Sequence, residues 1–332
     1  MSEDKDMQVP LDKSIGYAIR KFRKKKRMTQ KQLTKSDDPS RRILSERTLG
    51  RIERGETPLS PKYLDEILQE LGVSYAEFFS EVEGPDSTLF LNGFSEVWDL
   101  LFEKKHEEAS KRLNELLLKS KVDLRKPHIA QALMLYNCRV EVESLPDNAD
   151  FDLYQEELST SLCLTSPYAV ADRNGLILAK VASNVFTLNE YRIMNIMAAL
   201  NELRGDTNAA VGVYRAMKKS LKNKTLSSEI RNKLLPTVCY NLADSLTNQC
   251  EFGEAITTAE TGLTHGKKVG NHKADGSLYY AMAKALQLNG ELEKAAENFG
   301  RSYASFKAQG REESAKKVKD FAADKYGVFI KD

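Results

Sequence analysis

Two ten-residue stretches in the second half of the chain share one frame, Gly205-Asp206-Thr207-Asn208-Ala209-Ala210-Val211-Gly212-Val213-Tyr214 and Gly290-Glu291-Leu292-Glu293-Lys294-Ala295-Ala296-Glu297-Asn298-Phe299. In each, a small residue falls five positions after the glycine and an aromatic four positions further on. Glu251-Phe252-Gly253-Glu254-Ala255-Ile256 fits the same frame, with Cys250 at the glycine position. The key alanines Ala210, Ala255 and Ala295 are 45 and 40 residues apart. Self-similarity at such a period constrains the fold strongly, because one unit cannot bury its apolar face alone and must stack on its neighbours. From residue 88 to 332 nearly every segment has helical periodicity, with only four prolines beyond Asp86, so this part reads as all-α. Phe94 to Leu118, with Ala109 in the small position, reads as a further unit. Segments 126 to 143, 151 to 166 and 168 to 186 read as additional helices, and a charged helix from Arg311 to Tyr326 would cap the stack. About five helix pairs are expected.

The remainder of the chain is set apart by charge. The 332 residues carry a net charge of only +2, yet residues 13 to 62 hold 16 Lys and Arg against 5 Asp and Glu, a local +11 that leaves −9 elsewhere. One small segment is therefore suited to a polyanion. Hydrophobic and charged fractions of 41% and 30% fit a soluble globular protein, and the acidic start Met-Ser-Glu-Asp-Lys-Asp lacks the apolar segment of a secretion signal. Cytoplasmic residence with no membrane association is expected. Cys138, Cys163, Cys239 and Cys250 form no CxxC pair and no metal-type spacing with His106, His128, His265 and His272. No metal, cofactor or catalytic cluster is expected, and the chain does not read as an enzyme.

Within the basic segment, Ile15, Ala18, Ile19 and Phe22 recur at helical spacing beside a run of basic residues, which predicts a first helix over 14 to 26. Thr29-Gln30-Lys31-Gln32 is a capping box opening a second helix, with Leu33 inward. A polar stretch broken by Pro39 follows, and then Ser45-Glu46-Arg47-Thr48-Leu49-Gly50-Arg51-Ile52-Glu53-Arg54-Gly55. Here Ser45 suits an N-cap and Gly55 a stop. Arg47 and Arg51 share one helix face, whereas Leu49 and Ile52 share another. After the Pro58 to Pro61 turn comes an amphipathic helix with Tyr63, Leu64, Ile67, Leu68 and Leu71 inward. Gly72 ends it, and residues 73 to 79 supply a short fifth helix.

Residues 14 to 79 resemble the helix-turn-helix domain of the phage-repressor (Cro/XRE) family, through the basic first helix, Thr29-Gln30, and the run Arg51-Ile52-Glu53-Arg54-Gly55-Glu56 with Pro58. The resemblance implies that Gln30 touches a phosphate at the positive end of helix 2. It assigns base reading to Glu46, Arg47 and Arg51, with Ser45 at the same helix start; Arg suits guanine O6 and N7, and Glu accepts from cytosine N4. Thr48 suits either a DNA contact or support of the helix. Glu53 matches the family's inward glutamate, paired with Arg23 as a structural ion pair. The chain departs from the family between Leu33 and Glu53, 20 positions apart where the resemblance implies about 15, so the turn is lengthened and carries Arg41 and Arg42, as added phosphate contacts or as a solvated loop.

The repeats resemble the tetratricopeptide (TPR) repeat, with Ala243 and Ala283 as inward small residues in the first helices and Ala255 and Ala295 in the second. The resemblance implies a right-handed α-solenoid with the first helix of each pair on its concave side. The groove would present Arg192 and Asn195, then Tyr240, Asp244 and Asn248, then Tyr280, Lys284 and Gln287, a polar and aromatic set suited to an extended peptide. Three parts follow: a five-helix DNA-binding domain over 12–82, a linker over 83–90 and a TPR-like domain over 91–332. Together they are similar to the Rgg/PlcR-type (RNPP) peptide-sensing transcription regulators of low-GC Gram-positive bacteria. That family's properties imply a cytoplasmic homodimer on a pseudo-palindromic operator of double-stranded DNA, with operator binding modulated by a short quorum-sensing pheromone held in the TPR-like domain, which also dimerises. An alternative is a repeat domain that docks a partner protein.

Overall fold

A computed structural model describes residues 11–34, 43–73, 78–79, 81–82, 84–142, 150–165, 171–172, 175–176, 181, 186–223, 226 and 228–330. The chain divides into two compact units, Met1–Tyr136 and Asn137–Asp332.

The first unit opens with α1 (Leu11–Lys25), α2 (Gln30–Leu33), α3 (Glu46–Glu53) and α4 (Pro61–Leu71). Each boundary has a local cause. The Thr29 side chain accepts from the Gln32 amide and the Gln32 side chain accepts from the Thr29 amide, a complete capping box. Ser45 caps α3 by accepting from the Thr48 amide at 3.1 Å, and Gly72, at φ +58°, ends α4. Further helical residues at Phe78, Phe79, Glu81 and Val82 belong to the fifth helical segment. The core gathers Ala18, Ile19, Phe22, Leu33, Leu49, Ile52, Ile67, Leu71 and Phe78, and each large side chain buried there contributes about 1.5–3 kcal/mol. Gly16 allows α1 to lie directly on α3, because a Cβ at that position would stand 2.1 Å from the Ile52 carbonyl oxygen.

Two features of this unit differ from the sequence expectation. The lengthened turn is clasped at its base: the Ile43 amide donates to the Thr34 carbonyl at 3.1 Å, and Ile43 and Leu44 are buried in the core. Arg41 and Arg42 lie outside the described residues. The expected linker over 83–90 is instead largely helix, since α5 runs Pro85–Phe102 with proline in its first turn. Phe90 is fully buried and stacks on Phe94 at 5.9 Å, and an apolar anchor of this kind is what a solvated linker lacks. α6 (His106–Ser120) packs on α5 and α7 begins at Pro127, ending at Val142. The Phe79 and His128 rings meet at 5.0 Å, and the first compact unit runs on to Tyr136.

The second unit holds α8 (Phe151–Cys163), α9 (Leu188–Leu203), α10 (Thr207–Leu221), α11 (Ser228–Asn248), α12 (Phe252–Val269), α13 (Asp275–Leu288), α14 (Leu292–Ala308) and α15 (Glu312–Tyr326). α9 packs on α10, α11 on α12 and α13 on α14, while α11 also touches both α9 and α13. First helices are thus neighbours from one pair to the next. The key alanines Ala210, Ala243, Ala255, Ala283 and Ala295 are fully buried, as close helix approach requires. The segment 168–186, expected to be a helix, contains a short antiparallel pair, Ala171–Asp172 with Gly175–Leu176. The sequence Asp172-Arg173-Asn174-Gly175 is rich in residues that favour turns over helix.

One turn recurs at the hairpins α5–α6, α9–α10, α11–α12, α13–α14 and α14–α15. Lys104, Gly205, Cys250, Gly290 and Gly310 all take positive φ, from +61° to +85°. The amide of the following residue returns to a carbonyl five positions back, as in Lys105 to Leu100, Asp206 to Asn201, Glu251 to Leu246, Glu291 to Leu286 and Arg311 to Phe306, at 2.8–2.9 Å. This is a Schellman closure, which satisfies the last carbonyls of the first helix and reverses the chain.

Candidate nucleic-acid interface and repeat-domain groove

In the first unit, a buried ion pair fixes α3 against α1. Arg23 on α1 donates from Nε to Glu53 Oε1 at 2.6 Å and from Nη2 to Glu53 Oε2 at 2.8 Å. Its Nη1 donates to the Met28 carbonyl at 2.9 Å, and the two side chains are only 11% and 3% exposed. The fork geometry matches guanidinium to carboxylate and holds α3 against α1. Gln30, which the sequence places at a phosphate, joins this network by donating from Nε2 to Glu53 Oε2 at 2.9 Å. Ser45 and Thr48 share a hydroxyl contact of 2.7 Å, so both are occupied at the start of α3.

Glu46, Arg47 and Arg51 lie exposed on α3 while Leu49 and Ile52 are buried beneath them. Arg54 and Glu56, to which sequence reasoning gave no role, stand beside them. Arg54 donates from Nε and Nη2 to the two Glu56 oxygens at 2.6 and 3.0 Å, and Arg51 Nε lies 4.0 Å from Glu56 Oε2. The signal for them was the motif itself, in which they stand one and three positions after Glu53.

In the second unit a polar strip crosses three neighbouring first helices. Asn241 on α11 donates from Nδ2 to Asn195 Oδ1 on α9 at 2.7 Å. Lys284 on α13 reaches Asp244 Oδ1 on α11 at 2.6 Å and lies over the Tyr280 ring at 5.6 Å. Ser245 donates to Glu202 on α9, whose carboxyl is held above its ordinary range by burial. Burial also pushes the Tyr280 hydroxyl to about 12 and raises that of Tyr240. Asn195, Tyr240, Asp244, Tyr280, Lys284 and Gln287 are half-buried along one face of their helices and Asn248 is exposed at its end. Arg192 departs from the expected open face. It is 5% exposed and donates from Nη1 to Asn189 Oδ1 at 3.0 Å. Glu202, Asn241 and Ser245 were not anticipated; Glu202 lies seven positions after Asn195, on the same face.

A capped reading helix carrying exposed arginines, joined in one chain to stacked helical hairpins, defines a DNA-binding transcription regulator with a helical repeat domain. More particularly, residues 19–78 match the helix-turn-helix family and residues 166–318 match the RNPP family C-terminal domain, so the chain combines these two domains. The fold is similar to that of PlcR from Bacillus thuringiensis in complex with the peptide PapR7 and DNA, with a TM-score of 0.56, 18% identity and coverage of 92% of this chain and 99% of that one. It is also similar to PlcR in its apo form, with a TM-score of 0.52, 18% identity and coverage of 92% and 98%. The apo competence regulator ComR from Streptococcus vestibularis matches at a TM-score of 0.48 and 19% identity, over 94% of this chain and 98% of that one. No match was found among curated proteins. Among the described residues, no helix is long and apolar enough to cross a membrane.

Proposed function

We propose that this chain is a cytoplasmic operator-binding regulator whose repeat domain takes a short signalling peptide along the polar face of α9, α11 and α13. The observation that carries the reading is the strip of Asn195, Asn241, Asp244, Lys284, Tyr240 and Tyr280 on adjacent first helices. Amide side chains there suit a peptide backbone, and the charged pair suits its ends or side chains. The likeness to a PlcR fold crystallised with a peptide and DNA supports the same pairing of ligands. In this reading the chain acts as a homodimer on a pseudo-palindromic operator, with half-sites set by a whole number of helical turns. Glu46, Arg47 and Arg51 read bases, Gln30 lies near a phosphate, and Ser45 and Thr48 set the helix start. The peptide biases two arrangements of the dimer by no more than its difference in affinity for them.

Calorimetry on the full chain tests the groove, using synthetic peptides from small secreted open reading frames beside the gene. Asn195→Ala and Tyr240→Ala are expected to weaken binding, and wild-type affinity in both variants would place the site elsewhere. For the operator, Arg47→Ala or Arg51→Ala is expected to cost ~1–3 kcal/mol of specific binding with the melting temperature unchanged; undiminished discrimination would remove this reading face.

A further inference from the structure

The Arg51, Arg54 and Glu56 cluster has a geometry that interior packing does not demand. All three side chains are about half exposed, yet the Glu56 backbone is fixed. Its amide donates to the Arg51 carbonyl at 2.9 Å. The preceding Gly55 takes φ +69° against Lys13, where a Cβ would stand 2.5 Å from the Lys13 side chain and 2.8 Å from its Cα. The carboxylate is thereby set at the C-terminal end of the reading helix. Both its oxygens engage the Arg54 fork, and one of them faces Arg51. Arg54 in turn lies against Gly50 beside Gln30: a Cβ on Gly50 would be 3.5 Å from Arg54 Nη1 and 3.6 Å from Gln30 Nε2.

A carboxylate and a phosphodiester present the same paired oxygens to a guanidinium. Resting on the DNA-binding reading above, we propose that Glu56 is a resident anion on the nucleic-acid interface. It holds Arg54 in a self-paired state that a backbone phosphate must displace. Glu56 is a positioning residue in this scheme and makes no base contact. Its effect is to weaken sequence-independent binding, because Arg54 exchanges one anion for another and releases fewer counterions from DNA. Discrimination then falls more heavily on base contacts, which the carboxylate does not replace.

The test is salt-dependent binding of a short mixed-sequence DNA duplex to the full chain, measured by fluorescence anisotropy for wild type, Glu56→Gln, Arg54→Ala and the double variant. Glu56→Gln is expected to raise duplex affinity about fivefold or more at low salt and to steepen the slope of log affinity against log salt by about 0.9, one phosphate contact. Arg54→Ala is expected to lower both, and in its background Glu56→Gln is expected to lose most of its gain. Circular dichroism of each variant checks that the helices persist, and Glu56→Asp, which keeps the charge on a shorter arm, is expected to fall between wild type and Glu56→Gln. Wild-type binding together with an unchanged Glu56→Gln overturns the role given to Glu56. An equal gain with and without Arg54 overturns it as well, because the effect would then be net charge alone. Failure of the wild type to bind duplex at low salt would instead overturn the DNA-binding reading itself.

Discussion

At the scale of single residues, the Arg23–Glu53 pair ties α3 to α1. Both side chains are nearly removed from water, so deleting one leaves the other charge uncompensated in a site built for two. Arg23→Ala and Glu53→Ala are each expected to destabilise by about 3–5 kcal/mol, measured by urea unfolding of the full chain. A cost within experimental error would mean that the pair is a surface accessory. Cys250 offers a change in the opposite sense. It stands at φ +62° where Gly205 and Gly290 occupy the equivalent turns, a conformation that costs an L-residue more than it costs glycine. Cys250→Gly is therefore expected to stabilise by up to about 1 kcal/mol, less the added entropy of the unfolded glycine. A lowered melting temperature would show that the thiol makes a contact outweighing the backbone term.

At the scale of an element, α11 shows how a helix accommodates an interior proline. Pro236 has no N–H, so the carbonyl four residues back, that of Asn232, loses its helical donor. Asn271, in the turn after α12, supplies the substitute by donating from Nδ2 to the Asn232 carbonyl at 2.7 Å. Asn271→Ala is expected to cost about 1–3 kcal/mol through the orphaned acceptor. In a Pro236→Ala background, where the backbone N–H returns, the same substitution is expected to cost measurably less, and equal costs in the two backgrounds would refute the substitution of one donor for the other. This arrangement was not legible in the sequence, because its two partners are 39 positions apart and neither belongs to a motif. The helices themselves were legible for the opposite reason. Ala210, Ala255 and Ala295 repeat because each occupies a close helix contact, and Thr29 with Gln32 and Ser45 announce their caps within four residues. Lys104 adopts the repeat's left-handed turn without a glycine to signal it. Arg192 has the spacing of a groove residue but is drawn inward, since periodicity locates a face and leaves the depth of burial undetermined.

At the scale of the whole molecule, the charge is partitioned between a +11 segment over residues 13 to 62 and −9 in the rest. The basic segment includes the exposed arginines of α3, so affinity for DNA is expected to fall steeply with salt, by about 0.9 in log slope per phosphate neutralised. A flat response in anisotropy titrations would argue against a polyanionic partner. The Thr34–Ile43 clasp gives this segment one further property. The hydrogen bond from Ile43 to Thr34 joins the two described ends of the inserted stretch just ahead of α3. Doubling such a loop costs only about 0.6 kcal/mol of closure entropy. A change in the number of residues between Thr34 and Ile43 is thus expected to leave the capped start of α3 and its packing on α1 intact, since neither depends on the length of what the clasp closes.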